Sequence, residues 1–306
     1  AWGWEELAGL IGQAEVVGQE ILPGGSFAEV TALLESDPAR SADSPEAFVE
    51  FIQARLDDAR SRLMGTHFDV APEIEPLTVN LAPPGGPLGA YYLSPSEDFV
   101  RPGGVWYSMG DQTVFPLYHH VSTAYHEGFP GHHLQVGTAM ANRDRISRAH
   151  RLMVWYPGYG EGWALYAERL MHELGFFEQP DYVFGMLAKQ LYRATRVVVD
   201  IGLHLELVIP AGAPIGAGQP WSFELATEYL RTYGFRTADQ AVSETMRYLG
   251  WPGQAIAYKM GEREILSLRE EAQRSRGDAF DLKVFHNQVI GNGAMRLDLL
   301  RSTVLG

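Results

Sequence analysis

Apolar residues recur at helical spacing over most of the chain, and the interruptions divide it into stretches of different character. From Trp4 to about Ile21, Leu7, Leu10, Ile11, Ala14 and Val17 share one side of a helix, which Pro23-Gly24-Gly25 ends. A shorter helix is predicted from Ser26 to Leu34. Ser44-Pro45-Glu46 supplies an N-cap followed by proline at the first helical position. Phe48, Phe51, Ile52, Leu56 and Leu63 then carry an apolar stripe to about Met64.

Residues 67–111 lose that rhythm. Pro72, Pro76, Pro83-Pro84-Gly85-Gly86-Pro87, Pro95 and Pro102-Gly103-Gly104 punctuate short runs at 77–81, 90–93 and 105–108, which read as strands joined by turns. An edge strand of such a sheet can bind an extended peptide through its backbone; a purely structural sheet is the plainer reading. Beyond Phe115 the helical period returns, predicting helices over 115–140, 143–154, 160–174, 181–209, 221–233, 237–249, 252–276 and 281–303. The fold class expected is mainly α with a small β element. Residues 1–306 are read as a single catalytic domain: helical 1–66, strands and loops 67–111, and a helical region 112–306 that carries the candidate chemistry.

Composition narrows the partners. With 46% hydrophobic and 20% charged residues, the 306-residue chain has the balance of a globular protein. Its 24 basic against 38 acidic residues leave a net charge of −14, which argues against nucleic acid or an anionic membrane as partner. No apolar run approaches the ~20 residues that span a bilayer. The absence of cysteine excludes disulfides, thiolate ligands and a thiol nucleophile, and suits a cytoplasmic location. The first residues lack the blocks of a signal peptide, but a processed, secreted form stays open. Oligomeric state is not legible.

The candidate chemistry lies at Tyr125-His126-Glu127-Gly128-Phe129-Pro130-Gly131-His132-His133-Leu134-Gln135. In H-E-x-x-H two histidines one turn apart hold zinc and the glutamate serves as general base. Here the second histidine comes six or seven residues on, roughly 9 or 10.5 Å along a straight helix. The helix must therefore break or bulge, and Pro130-Gly131 are the residues that allow it. Directly following the glycine, His132 is preferred over His133 as the second ligand. Glu127 is the candidate base that takes a proton from a metal-activated water. His119 and His120, about two turns earlier, read as satisfied or exposed histidines.

Candidates for a third ligand are Glu161, Glu168, His172 and Glu173. Glu161 sits among glycines in the first turn of its helix, where another backbone can pack close. Glu168, two turns on, suits a partner that orients a ligating histidine, or a plain salt bridge. Downstream, Tyr192, Arg196, Asp200 and His204 recur every four residues on an apolar helix, with Arg193 beside them. That stripe is expected to form the far wall of an active site, with His204 a donor to a developing oxyanion; a structural hydrogen-bonded network is the rival reading. Tyr258 is a candidate to polarise a carbonyl, and Arg196 and Lys259 to bind substrate.

His126-Glu-Gly-Phe-Pro-Gly-His-His-Leu-Gln135, Glu161-Gly-Trp-Ala-Leu-Tyr-Ala-Glu168, Arg196-Val-Val-Val-Asp-Ile-Gly-Leu-His204 and Pro252-Gly-Gln-Ala-Ile-Ala-Tyr-Lys259 resemble the bacterial domain-of-unknown-function 885 family, as does Pro95-Ser-Glu-Asp-Phe-Val-Arg-Pro-Gly103. The family is regarded as similar to helical zinc peptidases with glutamate as third ligand. The resemblance implies a zinc-peptidase-like helical domain, His126, His132 and Glu161 as ligands, and Glu127 as base. Family members are usually longer, so the chain corresponds to their catalytic C-terminal half. The expected function is zinc-dependent hydrolysis of a peptide or small amide. Iron is the alternative metal, because two histidines and a carboxylate also form the facial triad of non-haem iron enzymes. A biosynthetic metalloenzyme and a non-catalytic metal-binding remnant are the rival functions.

Overall fold

The computed structural model describes residues 1–83 and 89–306. Four of the five residues in the predicted turn Pro83-Pro84-Gly85-Gly86-Pro87 lie outside them. The described chain is mainly α-helical with small β elements.

Local signals act as expected in the first part. Helix α1 (Trp2–Ile21) buries Leu7, Leu10 and Ala14. Helix α2 (Phe27–Ser36) opens on a capping box in which Ser26 and Glu29 satisfy each other's backbone N–H groups. A short strand, β1 (Ser41–Ala42), precedes helix α3 (Pro45–Leu63), where the Ser44 hydroxyl accepts from the Ala47 N–H and Pro45 takes the first helical position. Phe48, Ile52, Leu56 and Leu63 are buried, one side of the helix facing the core.

The predicted strands form one sheet. Strand β2 (Leu77–Leu81) runs parallel to β4 (Gly103–Ser108), with Val79 opposite Val105. Strand β3 (Gly89–Leu93) pairs antiparallel with β4, with Tyr91 opposite Trp106. The order β2-β4-β3 leaves β3 at an edge.

The expected helix over 115–140 is instead three pieces. Phe115–Pro116 is a strand, β5, antiparallel to β1. Helix α4 (His120–Glu127) follows, then the break Gly128–Gly131 with a cis Phe129-Pro130 bond, then helix α5 (His132–Ala141). The next helices are α6 (Arg148–Met153), α7 (Pro157–Glu173) and α8 (Pro180–His204). The latter stops short of the expected 209, leaving Leu205 and Leu207 exposed outside it. Helices α9 (Phe223–Thr232), α10 (Ala238–Gly250) and α11 (Ala257–Arg276) come next. The stretch expected as 281–303 divides into α12 (Leu282–Ile290) and α13 (Leu297–Leu305) around Gly291-Asn292-Gly293.

Two packings position the site. Helix α4 lies against α3, α7 and α8, and α7 lies against α11. The α7–α11 crossing is backbone on backbone: a side-chain carbon on Gly261 would meet the Gly158 carbonyl oxygen at 1.8 Å, and one on Gly162 would meet Gly261 at 2.5 Å. Only glycine permits that approach, and it brings Glu161 on α7 beside Tyr258 on α11. Trp163, fully buried, packs near Phe68 and Tyr166. Burial of a side chain of that size contributes about 2–3 kcal/mol or more.

A candidate metal centre

The break between α4 and α5 creates the centre. Gly128 N–H still bonds to the Ala124 carbonyl, whereas His133 N–H reaches back five residues to the Gly128 carbonyl. The Trp163 indole N–H donates to the Pro130 carbonyl at 2.9 Å, satisfying a group the break leaves free and tying the turn to α7. The two helix ends thereby overlap, and the His126 and His132 rings come within 4.9 Å of each other.

Glu161 meets them. Its Oε2 lies 3.4 Å from His126 Nε2 and 3.4 Å from His132 Nε2. The three ligand atoms lie within 4.8 Å of one another. For donors at ~2.0–2.1 Å from a tetrahedral zinc, neighbouring donors stand about 3.3–3.4 Å apart. The spacing is long for a hydrogen bond and right for a shared cation. A divalent metal such as zinc therefore fits this donor set. Burial alone would raise the Glu161 carboxyl, but the two histidines beside it hold it well below the usual range. His126 is subject to the opposite balance: burial lowers it, and the carboxylates of Glu161 beside it and Glu168 bonded to it outweigh that and raise it to about 9.

Glu168 holds His126 from behind. Its Oε1 accepts from His126 Nδ1 at 2.7 Å, and its Oε2 accepts from the Ser122 hydroxyl. This bond fixes the ring with Nε2 facing Glu161. Ser122, one turn before His126, is a contributor that the sequence reading missed. His133 turns away: its Nε2 donates to the Ile74 carbonyl at 2.6 Å, and its Nδ1 faces the Tyr92 hydroxyl at 3.1 Å. Burial pushes His133 down to about 4.

The other candidates divide. Glu127 and Tyr258 border, together with the triad, a cavity of about 760 Å³. Glu127 makes no hydrogen bond or ion pair among the described residues. Burial, then the nearby Glu161 charge, raises the Tyr258 hydroxyl, so it stays a proton donor. Tyr192, Arg193, Arg196 and Arg247 form a polar wall of the same cavity, and Ala90, Tyr91 and Tyr92 of edge strand β3 line it too. Trp155, another residue the sequence reading missed, packs its ring 5.8 Å from that of His132.

Two expected site residues lie elsewhere. His204 Nε2 is 3.0 Å from the Tyr248 carbonyl and 3.3 Å from Asp200 Oδ1, away from the cavity. Asp200 accepts from the Gly253 N–H at 2.9 Å. The polar stripe on α8 is thus a cleft wall at Tyr192 and Arg196 and a structural network at Asp200 and His204, because the Tyr248–Gly253 segment covers its end. Lys259 is fully buried, its Nζ 2.7 Å from both Glu6 Oε1 and Glu262 Oε2 and also bonded to Gln190. That ion cluster occupies its ammonium, and Lys259 is not among the residues that line the cavity. Glu173 pairs with Arg269, and His172 packs on Phe177. His119 and His120 are neither exposed nor fully satisfied: their rings lie 3.9 Å apart at a tilt of 39°, and both Nδ1 atoms are buried without a hydrogen-bond partner among the described residues.

Comparison with known proteins adds to this geometry. The chain is similar to a crystal structure of the putative lipoprotein from Colwellia psychrerythraea, with a TM-score of 0.83 and 30% identity, over 99% of this chain and 50% of that one. It is also similar to a putative lipoprotein of unknown function from Shewanella oneidensis, with a TM-score of 0.73 and 18% identity, over 99% of this chain and 56% of that one. The chain thus spans about half the length of these structures. Both being described as lipoproteins overturns the expected cytoplasmic location: cysteine-free composition is equally compatible with an exported setting. No helix among the described residues is long and apolar enough to cross a membrane. No curated protein matches. A family model described as "Bacterial protein of unknown function (DUF885)" matches residues 1–304, and the chain belongs to that family.

Proposed function

We propose that the chain is the catalytic unit of a metal-dependent hydrolase of peptide or amide bonds, with zinc as the metal. The observation that carries this reading is the convergence of His126 Nε2 and His132 Nε2 on Glu161 Oε2, with Glu127 facing the same cavity. A metal held there supplies Lewis-acid polarisation of a carbonyl and acidity to a water. Glu127, adjacent in sequence to His126 and without a hydrogen bond or ion pair among the described residues, would take a proton from the attacking water and return it to the leaving nitrogen. Tyr258, kept protonated by burial, donates to the carbonyl oxygen as negative charge develops on it. Glu168 and Ser122 keep His126 oriented.

The open edge of β3, along the cavity, supports an extended peptide as substrate, added as a further strand. Residues 1–306 are read as one catalytic unit, because the buried apolar residues from Leu7 to Val304 form one cluster. The lipoprotein descriptions of its relatives favour an exported, membrane-anchored setting.

The test is Glu127→Gln in zinc-loaded protein assayed on a peptide library. Metal content stays at the parent level and turnover falls about 10²- to 10⁴-fold. Full activity in that variant refutes the mechanism. Iron in untagged protein, with oxygen-dependent turnover, overturns the hydrolase reading in favour of non-haem iron chemistry.

A further inference from the structure

The cavity that the metal ligands border is also lined by two arginines, Arg193 and Arg196, that make no ion pair among the described residues. Lys189, Arg193 and Arg196 lie at i, i+4 and i+7 on α8, hence on one face, but Lys189 borders a different cavity from the two arginines. Arg196 is only 3% exposed. Among the described residues, none of the three forms an ion pair or a hydrogen bond to a carboxylate, and the Nε atoms of Arg193 and Arg196 are buried without any partner. What surrounds Arg196 is aromatic: its guanidinium carbon stands 4.5 Å from the Tyr258 ring, 5.2 Å from Tyr192 and 5.5 Å from Tyr248. Aromatic faces offset part of the cost of burying the charge, but they are not counter-ions. The nearby Glu244 is already committed to Arg247, Tyr192 and Tyr248. Burial and the Arg193 and Arg236 charges pull Lys189, on the neighbouring cavity, down to about 7.

The contrast with the rest of the molecule is informative. Buried Lys259 has two carboxylates and an amide, and Arg169 has two carboxylates. Arg193 and Arg196, which line the cavity, have no such partner among the described residues, and Arg196 is buried, as Lys259 is.

We propose that Arg196, with Arg193 beside it, seats a substrate carboxylate, so that the site cleaves an amide whose nitrogen side carries a free carboxylate close by: the C-terminal bond of a peptide, or an N-acyl amino acid. This rests on the hydrolase reading above and names its substrate class. The span follows from Tyr258, whose ring is 6.4 Å from that of His126 and 4.5 Å from the Arg196 guanidinium. The cation thus stands one side chain away from a metal ligand. An extended residue covers ~3.3–3.6 Å, so a carboxylate on Arg196 lies one to a few residues beyond the carbonyl that is attacked. In the reaction the carbonyl–nitrogen bond breaks, water oxygen bonds to the carbonyl carbon, and the proton goes to the nitrogen through Glu127; no oxidant or reductant is needed.

The experiment is calorimetric binding of N-benzoylglycine and of its amide, N-benzoylglycinamide, to zinc-loaded and to chelator-stripped protein. The acid binds about tenfold or more tightly than the amide in both forms, the discrimination expected of a charged hydrogen-bonded pair. Arg196→Met abolishes that preference, Arg196→Lys retains part of it, and thermal melting confirms that both variants are folded. Equal behaviour of acid and amide in stripped protein, whether both bind or neither does, overturns the proposal. So does a preference that survives Arg196→Met. Separate failure of the hydrolase reading shows as absence of turnover in zinc-loaded protein while the preference stands; turnover without the preference shows the reverse.

Discussion

A side-chain carbon placed on Gly131 would stand 1.9 Å from the carbonyl oxygen of His126, so the residue that begins one helix touches the backbone that ends the other. The φ of Gly131 is −75°, so the demand for glycine comes from this approach and not from handedness. Gly131→Ala must push α5 away from α4 and separate His132 from His126. Overpacking of this kind costs about 3 kcal/mol, the upper end of the usual range. Zinc affinity, read by competition with a chromogenic chelator, falls with it. An alanine variant that holds zinc as tightly as the parent removes the break from the account of the site.

Glu168 tests the support behind the ligands. It is 1% exposed and bonded to both His126 and Ser122. Glu168→Gln keeps the shape and removes the negative charge that makes His126 a stronger donor. Zinc affinity is expected to drop about 10- to 100-fold with little change in fold. If affinity is unchanged and only the melting temperature moves, Glu168 is a buried ion-pair partner and nothing more.

How these features read from sequence depends on how local their causes are. The start of α3 was legible because Ser44 and Pro45 act within one turn. The α4–α5 break was legible only through chemistry. Helical period alone joined 115–140, since apolar residues such as Val121, Tyr125, Phe129 and Leu134 continue across it. The demand that two histidines six residues apart meet one metal forced the break. By contrast, Asp200 and His204 share a face with Tyr192, and periodicity cannot say that the Tyr248–Gly253 segment lies over the far end of that face. Lys259 failed for the same reason: its partner Glu6 comes from near the opposite end of the chain, and no local pattern announces it.

Lys259→Met makes that last point measurable. The substitution leaves Glu6 and Glu262 with Arg169 as their remaining cation. Breaking a buried pair by removing one partner costs about 3–5 kcal/mol, and the surviving arginine places the expected loss near 3. Urea denaturation should show it. KM for an accepted substrate should stay at the parent value, because the ammonium never reaches the cavity. A raised KM with unchanged stability would restore Lys259 to the substrate site.

His286 governs an acid-sensitive contribution to stability. Its ring stacks 4.8 Å from that of Phe68, its Nε2 accepts from the Tyr166 hydroxyl at 2.8 Å, and its Nδ1 donates to the His67 carbonyl at 3.1 Å. Burial drives its pKa down from 6.5 to about 3, against a small opposing effect of the bond to His67. Between those values the unfolded chain binds a proton that the folded chain refuses, so stability rises with pH and is lost as pH falls below about 6.5. The slope for one such group approaches ~1.4 kcal/mol per pH unit in the middle of the window. His119, His120 and His133 are also held low by burial and act in the same direction. His286→Gln should therefore be less stable at pH 7, having lost the stacking, yet lose less on acidification. Urea denaturation of parent and variant at pH 7, 6 and 5 gives the comparison. The stability difference between them should narrow by about 1 kcal/mol from pH 6 to pH 5; parallel curves would show that this histidine is protonated in the folded chain as readily as in the unfolded one.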